Sequence, residues 1–464
     1  MDTLNFKNEL SFDEFPPIST DEWEAVIEKD LKGKDYKETL SWNPENELEV
    51  LPFYRREHLE ELSRSPKPVR ASTGWTILQP ILVKDVDSAN KTALNALQNG
   101  ASGLYFYGDS DAITSHADVE QLFKDIQLEI ICVKLSNSLS LSNQLLNGLT
   151  KLIDSRNLAP DDLNLSVTRD PFSKGSFSGE LLDREMIEQN ISGLPFTLHI
   201  DLSGYGNAGA SIIQQTAFAL SAGNELLGIL GKDVTFNFNF AVTNNYFPEI
   251  AKLRAFRLMW NQVLESYESK ATDFSIHTET ALWNKAQNDA HNNMLRATTE
   301  AMSAILGGTD ALTVFPFDQH FSEPSEFSNR ISRNVQLILQ EEAYFDKVAD
   351  PGAGSYYIET LTDKIAKKSW ALFQSIEEKG GFYECLKSGF IQDEIQESRN
   401  RKIEAYKEKK ETLVGVNKYQ PEEKISNSKF QIPNFSSVKL EGETTEIKKI
   451  EPLNMEVELR KGDA

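Results

Sequence analysis

Between Gly74 and Phe317 the sequence alternates short β-rich runs with amphipathic helical stretches. The strand-forming runs are Trp75–Gln79, Gly103–Tyr107, Glu129–Leu135, Leu163–Thr168, Phe196–Ser203, Val234–Ala241, Phe274–Thr280 and Leu312–Phe317. Helical patterns follow most of them, over Ser88–Gln98, Asp111–Asp125, Leu141–Ser155, Ala210–Leu230, Phe247–Ser266, Met294–Leu306 and Ser328–Glu342. Between the fourth and fifth runs only Glu185–Gln189 has a helical pattern. Strands separated by helices pair in parallel through right-handed crossovers. Eight such units close a (β/α)8 TIM barrel. A doubly wound open sheet is the rival reading, but it rarely contains eight uninterrupted units.

The barrel is expected over residues 71–345. Residues 1–70 form an arm rich in Pro, Trp and charge, with one helical piece at Asp21–Leu31. Residues 346–464 form an extension with helices at Asp363–Glu378 and Glu384–Lys410. The polar stretch Tyr419–Ala464 has the composition of a linker or a wrapping strand.

The formal net charge of −23 disfavours phosphate backbones and anionic lipid as partners. Cys132 and Cys385 are too few for a disulfide framework, and Cys132, in an apolar run, is expected to be a reduced core thiol. Met1–Pro17 has no basic-then-apolar leader pattern, and no apolar run reaches the roughly 20 residues needed to cross a bilayer. A soluble cytoplasmic protein is the expectation. No H-x-H or H-x-x-x-H spacing marks a metal site, and no G-x-x-x-x-G-K-[ST] string marks a phosphate loop.

Period-two alternation says more about the inside of the barrel. Apolar residues on one face of each strand pack under helices, so the other face points into the bore. That places Thr197, His199, Asp201 and Ser203 inward on the fifth strand, and Thr235, Asn237 and Asn239 on the sixth. On the seventh the inward residues are Ser275, His277 and Glu279. Ordinary TIM barrels carry Val, Ile and Leu there. A polar layer requires a hydrogen-bonded network, water or a polar ligand. Tyr105, Tyr107, Phe315 and Phe317 are expected on the inner face too, as bulk that closes the channel. His277 with Glu279, and His199 with Asp201, are expected to satisfy each other.

The chain contains the strings FPPISTDEWEAVIEKDLKGKDY (Phe15–Tyr36), LPFYRREHLEEL, GWTILQP, EIAKLRAFRLMW (Glu249–Trp260), NNMLRATTEAMSAILGGTDAL (Asn292–Leu312), RISRNVQLILQEE (Arg330–Glu342), DPGAGSYYIE (Asp350–Glu359) and GVNKY (Gly415–Tyr419). These strings resemble the methylmalonyl-CoA mutase family of acyl-CoA mutases. They span residues 15 to 419 in the family's order and spacing. The resemblance implies a barrel through which pantetheine threads in the catalytic members.

The departures from the family pattern bear on function. The first strand of catalytic chains resembles T-I-R-Q-Y-A-G; here Leu78 stands at the arginine position and Pro80 at the tyrosine. After the fifth strand the family's S-G-Y-H-M-x-E-A-G-A becomes Ser203-Gly204-Tyr205-Gly206-Asn207-Ala208-Gly209-Ala210, without the histidine. The seventh-strand H-x-Q-T becomes His277-Thr278-Glu279-Thr280. Catalytic chains carry D-x-H-x-x-G in a cobalamin domain; Asp289-Ala290-His291 and Asp318-Gln319-His320 lack its glycine, and no such domain follows before Ala464.

The resemblance therefore implies a small subunit with no catalytic, cofactor-binding or metal residues of its own. Pro80, Tyr205, Gly206, His277 and Glu279 would be degenerate positions, and adenosylcobalamin would belong to a large-subunit partner. Two other readings stay open: the barrel chain of a split acyl-CoA mutase, and a barrel repurposed for another CoA thioester using His277 and Glu279.

Overall fold

The computed structural model describes residues 14–15, 17–108, 110–136, 143–192, 197–232, 234–270, 274–422 and 443–461. Eight parallel strands close into a barrel: β1 (Thr76–Val83), β2 (Gly103–Gly108), β3 (Cys132–Leu135), β4 (Leu165–Val167), β5 (Thr197–Asp201), β6 (Phe236–Val242), β7 (Ser275–Thr280) and β8 (Ala311–Thr313). Closure occurs at β1, where Leu78 is in register with Gly103 on one side and Thr313 on the other. A Cβ at Gly103 would lie 2.7 Å from both the Cys132 carbonyl and a Leu78 methyl, so the close approach of these strands needs glycine.

The outward faces are aromatic and aliphatic. Phe238 packs edge-on against Phe256 and Trp260, and Phe240 against Phe256, at centroid distances of 4.7–4.9 Å. Phe256 and Trp260 belong to the helix Tyr246–Ser266, which is buried almost all round. Its apolar residues pack on two sides, and its buried charges Lys252, Arg254 and Arg257 are ion-paired. The strands cover it from within, and the helix Tyr356–Glu378 joins the same core from outside through Leu361, Ile365 and Ile376. The helix Ile212–Leu230 lies in that core too, started by a capping box between Ser211 and Gln214.

Several elements differ from expectation. The segment after β4 contains a helix at Pro171–Ser178, a short strand at Glu180–Leu182 and a helix at Arg184–Ile191. Its start signal was present in the sequence: Asp170 accepts from the amides of Phe172 and Ser173 as an N-cap, and Pro171 follows it. Glu384–Lys410 is two helices, Gly381–Ser388 and Phe390–Lys407, divided at Gly389 with φ +85°. The helix after β2 is only His116–Leu122, and β8 stops at Thr313, short of Pro316.

The second half of the arm is tied to the body. Leu48, Val50 and Tyr54 join the main core, Glu45 pairs with Lys402 and Glu47 with Arg401. The first half is not. The helix Thr20–Asp30 buries no residue, and Phe15, Ile18, Trp23 and Val26 are exposed. Phe12 and Pro16 lie outside the described residues. At the other end the chain does wrap: Thr444–Glu446 pairs antiparallel with Glu180–Leu182, and the helix Met455–Arg460 follows.

Candidate functional site in the barrel bore

The bore is built in layers along its axis. Nearest the C-terminal mouth are carboxyl groups. Asn239 donates to Asp201 at 3.0 Å and to Glu279 at 3.3 Å, and the Ser203 hydroxyl donates to Asp201 at 2.6 Å. Asp170 accepts the amide of Asp201 at 2.9 Å. One step deeper lie imidazoles. His277 Nε2 sits 2.8 Å from the Thr313 hydroxyl, and the His199 and Tyr105 rings each stand 5.4 Å from the His277 ring. Tyr105, Tyr107 and Phe315 then group together on one side at 5.9–6.5 Å, with Leu78, Leu282 and Cys132 in the same cluster. The Tyr107 hydroxyl donates to Gln319 at 2.8 Å.

The alternation in the sequence placed His199, Asp201, Ser203, Asn239, His277, Glu279, Tyr105, Tyr107 and Phe315 inward but not Asp170, Thr313, Leu78 or Cys132, and two further details differ. His277 does not pair with Glu279, nor His199 with Asp201. Residues i and i+2 on a strand stand about 7 Å apart along the axis, whereas neighbouring strands are about 4.8 Å apart, so inner-face bonds run across strands. Phe317 lies outside the bore, 5.5 Å from His291 and 6.3 Å from Phe327, because the alternation ends with β8 before Pro316. Sequence reasoning overlooked Lys134, buried on β3 between Cys132 and Ser136, although the same period-two rule locates it.

Burial sets the protonation of these layers. It raises Glu279 to about 8, with the Asp201 charge adding to the effect, and raises Asp170 to about 7 against its backbone hydrogen bonds. It lowers His199 and His277 well below the ordinary imidazole value, with the Lys134 charge contributing. The sign of the pH dependence follows. Above about pH 7.5 the imidazoles are neutral in both folded and unfolded chains, and unfolded carboxyls are ionised. The folded Glu279 still holds its proton there, so folding takes protons up and stability falls as pH rises from about 7.5 to about 8.5. The limit is about 1.4 kcal/mol per pH unit for each group. Urea unfolding at the two ends of this window should show the loss, and Glu279→Gln should remove most of it. A slope unchanged by that substitution would refute the assignment.

The C-terminal mouth is covered by the chain itself. Leu453 donates its amide to the Asn207 carbonyl at 2.8 Å, and Met455 donates to the Trp283 carbonyl at 3.0 Å. The Asn454 amide group lies 2.8 Å from His320 Nε2, and Glu456 accepts the amides of Gln287 and Asn288. These partners sit on the short helix Ser203–Ala208 after β5 and on the segments after β7 and β8, at the end where barrel enzymes place their active sites. Leu453 and Met455 are fully buried there. Among the described residues no three His, Cys, Asp or Glu side chains are grouped to hold a metal ion.

Residues 109–458 match the family model described as Methylmalonyl-CoA mutase. The chain belongs to the methylmalonyl-CoA mutase family.

It is 33% identical to the methylmalonyl-CoA mutase small subunit of Porphyromonas gingivalis, over 97% of this chain and 76% of the relative. Identity to the small subunit of Streptomyces virginiae is 30%, over 88% and 71%. The methylmalonyl-CoA mutase of Cereibacter sphaeroides is 33% identical over 86% of this chain, which spans 64% of that protein.

The positions that depart from the mutase pattern have structural occupations. Pro80 stands opposite Tyr105 in register. Tyr205 is turned away from the axis into the core, its hydroxyl 3.0 Å from Ser176 Oγ and its ring among Phe177, Phe218 and Phe382. Gly206 lies in the short helix Ser203–Ala208, where a Cβ would come 2.8 Å from Gln215 Oε1 and 3.1 Å from the Ala241 methyl. A side chain at that position has no room to reach the bore.

Proposed function

We propose that this chain is the non-catalytic small subunit of a heterodimeric, adenosylcobalamin-dependent methylmalonyl-CoA mutase. The complex would interconvert methylmalonyl-CoA and succinyl-CoA in the cytoplasm, with cofactor and chemistry on the large subunit. The observation that carries this reading is the seal at the mouth: residues 453–456 occupy the face where a substrate would be presented to a cofactor, held by the segments that follow three strands. Tyr105, Tyr107 and Phe315 support it from inside, since they fill bore volume that a pantetheine tail would need. Adenosylcobalamin does not fit the histidines nearest that mouth. His320 is buried against Asn454 and pushed down to about 4, and His291 packs on Phe317.

The exposed half of the arm supports a partner. Phe15, Ile18 and Val26 are exposed apolar side chains, and Trp23, although its ring packs on Phe53 of the same arm, keeps an exposed face; stable subunit interfaces bury such surface. Co-expression with a catalytic mutase chain tests the proposal. A one-to-one complex should form and turn over methylmalonyl-CoA, while this chain alone should neither turn it over nor shift the adenosylcobalamin spectrum. Deleting residues 1–45 should abolish co-purification. Turnover by the isolated chain, or cofactor binding to it, would overturn the reading in favour of the split or repurposed barrel.

A further inference from the structure

The middle of the bore has a chemical imbalance that the subunit role does not explain. Lys134 lies on the inner face of β3, in register with Tyr105 of β2 and Ser166 of β4, and is 2% exposed. Burying a lone ammonium costs several kcal/mol unless a counter-charge accompanies it. Burial pushes the Lys134 ammonium down, and two groups oppose it: the Cys132 thiol, which burial itself pushes up and so keeps protonated, and Asp310, which is already held by Arg257 at 2.8 Å and Arg70 at 3.3 Å. Around the same level, Ser166 Oγ, both ring nitrogens of His199 and Nδ1 of His277 are buried without a hydrogen-bond partner among the described residues. Each such group costs about 1–3 kcal/mol when left unmade.

The groups gathered there are mainly donors: an ammonium, a hydroxyl and N–H groups of two imidazoles. The carboxyl layer of Asp201 and Glu279 stands one step nearer the mouth and is engaged with Asn239. A site rich in donors with a single formal positive charge complements one negative charge. Tyr105 lies at the same level on β2, and Cys132 and Leu78 lie one inner-face step deeper.

We propose that the centre of the barrel is a binding site for a small monovalent inorganic anion of the halide class, held by Lys134 with Ser166 and His199. Such an ion neutralises the buried ammonium and supplies the acceptor that the hydroxyl and imidazole donors lack. It acts as a polar plug, completing the bore in place of the ligand that an open barrel would carry. This inference is independent of the subunit assignment.

The test uses the full chain with bromide as probe. Crystals grown in bromide should show an anomalous peak within hydrogen-bonding distance of Lys134 Nζ and Ser166 Oγ. Bromide peaks confined to the surface would overturn the proposal. In solution, the unfolding midpoint at constant ionic strength should rise as bromide replaces gluconate, an anion too large to enter. The rise should vanish in Lys134→Met. Ser166→Ala, which keeps the charge and guards against a variant that fails to fold, should need about five- to tenfold more bromide for the same shift. Equal midpoints in the two salts for the native chain, or an undiminished bromide response in Lys134→Met, would rule the site out.

Discussion

Replacing Arg254 by leucine is expected to destabilise the chain by about 3–5 kcal/mol, the usual cost of removing one partner from a buried ion-pair cluster. Arg254 is fully buried in the helix Tyr246–Ser266. Its guanidinium holds Asp350 through one nitrogen and Glu359 through another at 2.8 Å, and Glu359 also takes Arg64 at 2.5 Å. Asp350 in turn accepts the amide of Val69 at 2.9 Å. One side chain thus ties the barrel to the arm and to the extension. Without it two carboxylates remain buried with only Arg64 against them. Urea unfolding of Arg254→Leu and Arg254→Lys measures the effect. Lysine keeps the charge but cannot hold two carboxylates with separate N–H groups, so it should recover only part of the loss. A leucine variant within about 1 kcal/mol of the native chain would mean the cluster contributes little.

Truncating Tyr105 to alanine is the second large effect, at about 3–5 kcal/mol. The ring packs on Tyr107, His277 and Phe315 inside the bore, so its removal leaves a gap in a close-packed layer. Phe315→Ala should cost a similar amount. Because both rings are filler in the proposed subunit, turnover of the assembled complex should hardly change while it stays folded. Denaturant midpoints and steady-state rates of the same preparations separate the two. A variant that is stable yet loses turnover would place Tyr105 in a working substrate channel.

Glu279 shows where sequence reasoning stopped. Alternation on β7 put it on the inner face, and nothing local said that its partner would be Asn239 across the ladder rather than His277 beside it. Gly206 shows the same limit: a missing side chain is visible in the sequence, but not that Gln215 occupies its space.

The sequence by itself determined the barrel and its polar inner face. Both follow from periodicities of two and 3.6 residues that strands and helices impose locally. It also carried the family, through strings such as those around Arg254 and Asp350. The ion-pair cluster linking those strings, the seal formed by Leu453–Glu456 and the crowding of unpartnered donors around Lys134 were decided by the tertiary structure alone. Each depends on contacts between residues tens to hundreds of positions apart. No local pattern specifies such contacts, because what fixes them is the closure of the barrel and the path of the chain around it.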